Sequence, residues 1–372
     1  MHIPRYNYRA QFDDLPATSE RIQRALATGD YVLGETVAEF ERRFAEYLGI
    51  EHAIGVNTGT DALILALTAL GIGPGDEVVT VANTFHATVL AITAVGATPV
   101  LVDCERDTYL MDLDALTAAC GPRTRAIIAV HLFGRSLDMD RLTTIADSHQ
   151  AVVVEDCAQA VGATWRGQRV GTFGAVAAYS FHPSKNLAAA GDAGAVATND
   201  AEIARTVRIL RGLGQDGQNN HVSLGTNSKL DALQAIVLDT KLGHLDAWNR
   251  ERQRIARHYA EALAHTGIAV TPIPEKPGDH VFHLFQIAVP RRDAVLEHLR
   301  SDGVDAVVRY PVPIHRQPAF ARYRFAANYP NAEHQATSTL CLPIRPDLSP
   351  TDIDFVCQSL HTAITATEEI PA

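Results

Sequence analysis

Lysine is nearly missing from this chain. Only Lys185, Lys229, Lys241 and Lys276 stand among its 32 lysines and arginines. Wherever a cation has only to be soluble, the sequence uses arginine. What arginine cannot do is lose its proton and attack a carbonyl as a free amine. Lys185 lies in SFHPSKNLAAAGDAGAV (180–196), past an apolar run that reads as a buried strand and before a patch of Ala and Gly. That setting suits a chosen amine, while position alone leaves the surface cation the commoner reading.

Cysteine is scarce too. Cys104, Cys120, Cys157, Cys341 and Cys357 show neither C-x-x-C spacing nor an even count. This excludes a disulfide framework and leaves small apolar fillers in a reducing cytoplasm. Basic charge is outnumbered, with a net charge of −11 and no block of five like charges. That excludes the basic face a nucleic acid or an anionic membrane demands. One stretch, Phe85 to Val102, lacks Asp, Glu, Lys and Arg, but Gly96 and Pro99 break it into an apolar helix, a turn and a strand. The opening MHIPRYNYRAQFDD has no apolar core for a signal peptide, so the cytoplasm is the expected compartment. No Walker motif, H-E-x-x-H or cysteine-rich cluster occurs, and no metal is expected.

What is present reads as α/β. Apolar runs recur at Ala53–Val56, Glu77–Val81, Pro99–Asp103, Ala126–His131, Val152–Glu155, Ala177–Phe181 and Gly194–Thr198. Most are continuous rather than alternating, as strands covered on both faces are. Helical patterns such as Asp61–Leu70 and Met139–Ser148 lie between them, which predicts a mostly parallel sheet flanked by helices. Ser228 with Asp231 suggests a capping-box start, followed by helical periodicity to about Ala264 with a break near Gly243. After the prolines at 272, 274 and 277 come HVFHLFQIAVP, a helix-like DAVLEHLRSDG and a second strand near Val304–Tyr310, a smaller α+β unit. The expected division is a large domain over 1–240, with the N-terminal arm, and a small domain over 241–372.

Several motifs could carry chemistry. GLGQDG (212–217) fits G-x-G-x-x-G, but it follows a helix-like segment and QNNH comes next, so a flexible loop is expected. His280 and His283 of HVFH fall on opposite sides of an expected strand and cannot share a metal. NTGTDALILAL (57–67) places a small-residue turn before an apolar-faced helix, a phosphate site if anything binds there and otherwise a helix capped by Thr60. VVVEDCAQA (152–160) ends a buried strand in two acids, Glu155 and Asp156, of which one can point into a site at the carboxyl end of the sheet. A phosphate turn, a strand-end acid and an isolated lysine match the three handles of pyridoxal phosphate: its phosphate, ring nitrogen and aldehyde.

The segments NTGTDALILALTALGIGPGDEVVT, VVVEDCAQAVGATWRG, SFHPSKN and GTNSKLDALQA resemble, in order and over nearly the whole chain, the DegT/DnrJ/EryC1/StrS sugar aminotransferases. The resemblance implies a fold-type I enzyme dependent on pyridoxal 5'-phosphate. It makes Lys185 the lysine joined to the cofactor aldehyde and Asp156 the partner of the ring nitrogen. Gln159 would bond the ring hydroxyl, and Phe85 would stack on the ring. Gly59, Thr60, Asp61 and Ser180 would hold the phosphate, with Asn227 arriving from the neighbouring subunit of a homodimer. The polar loop before Asn227, GLGQDGQNNHVSLG, is too poor in apolar residues to pack its own core but can reach across an interface. His at the position of Lys185 would instead mark the family's dehydratase branch.

The same resemblance implies a nucleotide-linked keto-hexose as substrate and glutamate as amino donor. PVPIHRQPAF (311–320) and SKNLAAAGDAGA favour amination at C3 of a dTDP-linked 6-deoxy sugar, with His182, Tyr310 and His315 as substrate contacts. His182 itself matches relatives that aminate C4, and Lys229 stands where Arg is usual. The alternatives are C4 amination, amination of a keto-cyclitol, dehydratase-type chemistry, or a cofactor-binding sensor without catalysis. The intact Lys185 and Asp156 argue against the sensor. Scarce Lys and abundant Ala fit a GC-rich bacterium, in which antibiotic or surface-polysaccharide sugars are plausible products.

Overall fold

The computed structural model describes residues 1–12, 15–264, 266–326 and 328–368; the end of the expected small domain, 369–372, lies outside them. Seven strands form the main sheet: β1 (His52–Val56), β2 (Glu77–Val81), β3 (Thr98–Val102), β4 (Thr124–Val130), β5 (Val152–Asp156), β6 (Val176–Ser180) and β7 (Gly194–Thr198). Their order across the sheet is β1-β7-β6-β5-β4-β2-β3. The neighbours from β6 to β3 pair in parallel, and β7 runs antiparallel to both β1 and β6. Strands β4, β5, β6 and β7 are buried almost throughout, which is why their sequences are continuous apolar runs. Because only β7 is reversed, the carboxyl ends of the other six share one edge.

Two apolar clusters cover the sheet. One packs Leu63, Leu67 and Ile92 from α1 (Gly59–Ala69) and α2 (His86–Ala94) with Val79, Ile127 and Val154. The other packs Phe40, Phe44, Tyr179 and Phe181 with Leu238. A third cluster is separate and belongs to the smaller unit. It joins Ile255 and Tyr259 of α4 (Leu245–Leu263) to Phe285, Leu340 and Ile353. The small sheet is β8 (Ala269–Val270), β9 (Phe285–Ala288) and β10 (Thr339–Leu342), all antiparallel.

The structure departs from the sequence expectations at three places. The segment Val304–Tyr310 is no strand: Val304 makes one bridge to Ile3 and Val307 one to Cys341, and β10 fills the expected place. Ile3 itself is 1% exposed within the small unit's cluster. Helix α3 (Ala232–Leu242) starts after Asp231, not at Ser228, whose hydroxyl is drawn to Asp61 Oδ2 at 2.7 Å. GLGQDG lies in an internally bonded turn: Val222 N donates to Gly214 O at 2.9 Å, and a Cβ on Gly214 would lie 1.8 Å from Ser223 O. Its glycines serve a close backbone crossing.

Candidate active site

A cavity of about 530 Å³ opens at the carboxyl edge of the sheet. Strand β1 leads through Asn57 and Thr58 into α1, and Thr58, rather than Thr60, is the cap: its Oγ1 accepts from Asp61 N at 2.9 Å. The other first-turn amides, of Gly59 and Thr60, are left for a ligand oxygen at the positive end of the helix. Residue 59 has to be glycine, because a Cβ there would lie 2.6 Å from the Cβ of Ser180. The close approach of α1 to the end of β6 puts the Ser180 hydroxyl and these amides on one wall. The residues therefore form a cradle that fits a phosphate.

Asp156 ends β5 and points into this cavity, while Glu155 points away. Glu155 is consumed by structure: its oxygens accept from the amides of Gly171, Phe173 and Gly174 at 2.6–2.8 Å. His131 Nδ1 accepts from Leu137 N at 3.2 Å, so its Nε2 carries the hydrogen donated to Glu155 at 3.0 Å. Asp156 takes Thr88 Oγ1 at 2.8 Å and the Ala158 amide at 3.1 Å. Burial pushes its carboxyl pKa up, and these two donors with the nearby Lys185 charge pull it back.

Lys185 lies in the same cavity wall, on a turn closed by its amide to His182 O at 2.8 Å. Desolvation lowers its pKa to about 8, against the opposing pull of Asp156 and helped by the charge of Arg309. Gln159 is held by both ends: its Oε1 accepts from Phe133 N at 2.6 Å and its Nε2 donates to Tyr310 Oη at 3.0 Å. Phe85 is 42% exposed, with Tyr310 5.3 Å away on one side. An exposed aromatic face beside a buried carboxylate is a seat for a flat polar ring.

Gly59, Thr60, Phe85, Asp156, Gln159, Ser180, His182, Lys185 and Tyr310 all line the cavity. Three expected residues do not. The Asp61 carboxylate is turned to Ser228 and its amide to Thr58, so it offers the cavity nothing. The His315 ring is tied to Glu333 at 2.8 Å and packed on Tyr329. Asn227 accepts from the Lys229 amine and stays outside its own chain's cavity. Sequence reasoning missed Thr88, Tyr6, His283 and Arg309, which also line it. The expected strand around HVFH is irregular, with Phe282 at φ 44°, and this turns His283 inward to Asn186. Burial, Lys185 and Arg252 hold His283 neutral by lowering its pKa well below the usual value. No spacing in the sequence marks these four.

Sheet, cradle, carboxylate and amine together define an enzyme of the aminotransferase class. The chain belongs to the DegT/DnrJ/EryC1/StrS aminotransferase family, whose model matches residues 15–361. It is 44% identical over 348 residues to the dTDP-3-amino-3,4,6-trideoxy-alpha-D-glucose transaminase of Streptomyces venezuelae, covering 93% of this chain and 92% of that protein. Among solved structures, DesV of S. venezuelae superposes with a TM-score of 0.94 at 42% identity, with all of both chains covered. NtdA of Bacillus subtilis, solved with its cofactor PMP bound, gives 0.91 at 30% identity, covering 98% of this chain and 85% of that one. The protein is an aminotransferase.

Proposed function

We propose that the protein binds pyridoxal 5'-phosphate in this cavity and moves an amino group from glutamate to C3 of a dTDP-linked 3-keto-6-deoxyhexose. One observation carries the cofactor reading: an isolated lysine amine and a buried carboxylate share a cavity with a helix-terminal phosphate cradle. The named activity of the S. venezuelae relative supports the substrate class. When bound, the cofactor supplies an electron-accepting ring and an aldehyde that carries the amino group. Asp156, whose carboxylate accepts from Thr88 and the Ala158 amide, would hold a proton on the ring nitrogen. Lys185, whose pKa burial lowers to about 8, would accept and return the proton that moves between carbons. Gln159 is pinned by Phe133 N, so its amide can orient the ring hydroxyl. Gly59, Thr60 and Ser180, which line the cavity, would hold the phosphate, and Phe85 would cover the ring. His182 and Tyr310 line the same cavity and are the sugar contacts in this reading.

In this reading the enzyme is a homodimer in which Asn227 completes the neighbour's phosphate site. Among the described residues no helix is long and apolar enough to cross a membrane, and work on antibiotic or surface sugars in the cytoplasm is the setting we infer. The test is direct. Lys185→Ala and Lys185→Arg should both lose transamination by at least about a hundredfold with the fold intact by circular dichroism, because guanidinium stays protonated. The yellow cofactor colour should bleach when glutamate is added to the wild type and persist in neither variant as a glutamate-sensitive band. Substantial turnover by the Arg variant would sink the assignment.

A further inference from the structure

Behind the Lys185 turn lies a second cavity, of about 270 Å³, that shares Tyr6 and Ser184 with the first. Four parts of the chain enclose it: the N-terminal arm from Arg5 to Gln11, the turn at Ser184 and Asn186, the start of α4, and the loop 345–347. Its charged lining consists of Arg5, Arg252 and Arg345 against Glu251 and Asp347. Most of these charges are already matched. Arg5 Nε lies 2.9 Å from Asp305 Oδ2, Glu251 accepts from Arg254 at 2.7 Å, and Asp347 takes Arg345 and also Asn7 Nδ2 at 2.6 Å.

Arg252 is different. It is only 7% exposed, yet no carboxylate pairs with it among the described residues. Its Nη1 donates to two carbonyls, Phe282 O at 3.2 Å and Ile344 O at 2.8 Å, and its buried Nε has no partner at all. Carbonyls satisfy N–H groups but supply no counter-charge. A guanidinium taken out of water without a paired carboxylate is costly, and burial lowers this group's pKa to about 10 against the smaller opposing pulls of Tyr6 and Asp347. Arg5 Nη1, on the facing arm, is likewise buried without a hydrogen bond. Arg252 and Arg5 come from separate segments of the lining, and Arg252 has no paired carboxylate among the described residues, so together they offer the fork chemistry that phosphate oxygens accept.

We propose that this cavity binds a phosphate group, with Arg252 as its anchor and Arg5 as the second donor from the arm. Two sources offer that chemistry: free phosphate, and the diphosphate of a nucleotide-linked sugar whose hexose lies past Tyr6 and Ser184. The site stands on its own geometry, and only the second source rests on the transamination reading. A bound phosphate would fasten the arm to α4, and with it Tyr6, which belongs to the wall of the active-site cavity.

The test is calorimetric titration of the holoenzyme, its cofactor phosphate cradle filled, with inorganic phosphate and separately with dTDP. We expect saturable binding that Arg252→Gln and Arg5→Gln each weaken tenfold or more. If only phosphate binding is weakened, the source is free phosphate; if both are weakened and the two ligands compete, it is the diphosphate. Arg5→Gln carries the test should Arg252→Gln fail to fold, since Arg5 lies on the arm. The site is refuted if neither ligand saturates, or if both variants bind each ligand as the wild type does. Either result leaves transamination, assayed through Lys185, untouched.

Discussion

Lys185 and Asp156 are tuned in opposite directions by the same burial, and each has a consequence at the bench. Desolvation favours the neutral amine, so covalent capture of the cofactor aldehyde by apoenzyme should rise with pH and reach half its limit near pH 8. A midpoint near 10.4, the value of a solvated lysine, would contradict a desolvated amine. For Asp156 burial favours the neutral acid, and Thr88 opposes it. Thr88→Val should therefore raise the carboxyl pKa, and the acid limb of the pH–rate profile should move to higher pH. Asp156→Asn removes a charge-assisted bond worth roughly 1.5–3 kcal/mol and should lower the half-reaction with glutamate by about ten- to hundredfold or more at every pH. An unshifted acid limb in Thr88→Val would mean that the hydroxyl does not tune this carboxylate. Lys185 and Asp156 were legible in sequence because one is a rare residue type and the other ends an apolar strand. Thr88 and Arg309 carry no such mark, since only the fold brings them to the same wall.

At the scale of elements, the strands of the main sheet were legible to within about two residues because they are buried on both faces. Burial on both faces leaves continuous apolar runs with sharp polar or glycine ends, as in Val152–Asp156. The small unit was harder. Its strand Thr339–Leu342 is four residues long and continues directly from the helix Pro330–Ser338, so no turn signal precedes it. Val304–Tyr310 has strand-like composition, but Asp305 there is pulled aside to the amide and guanidinium of Arg5. Helix α1 and β7 meet the tightest tolerance in the site: a Cβ on Gly194 would lie 2.5 Å from the carbonyl carbon of Thr58. Backbone cannot swing away as a flexible side chain does. Gly194→Ala should then cost about 1–3 kcal/mol of stability and displace the Thr58 cap, loosening the phosphate cradle. Differential scanning calorimetry and a cofactor titration should show both losses together. A variant with wild-type Tm and cofactor affinity would show that the cap does not depend on this contact.

The whole molecule presents a surface that a single chain does not explain. The loop before Asn227 is ordered by its own backbone bonds, yet it exposes Leu213, Val222 and Leu224, the last of them 97% accessible. Apolar side chains gathered on one polar loop suit a contact with a second copy better than open water. Asn227 follows this loop and lies outside its own chain's cavity. If Asn227 bonds the neighbour's phosphate, its loss should weaken cofactor binding by roughly ten- to hundredfold. The decisive measurement mixes Lys185→Ala subunits with Asn227→Asp subunits, each inactive alone. When Asn227 acts across the interface, a mixed dimer can hold both lesions in one site and leave the other whole, so activity returns to part of the population. When it acts within its own chain, every site keeps one lesion and mixing restores nothing. Subunit exchange is checked separately with tagged chains, and Asn227→Asp must itself be strongly impaired. With both controls met, the expected result is one working site per mixed dimer, and failure to complement would defeat the shared site.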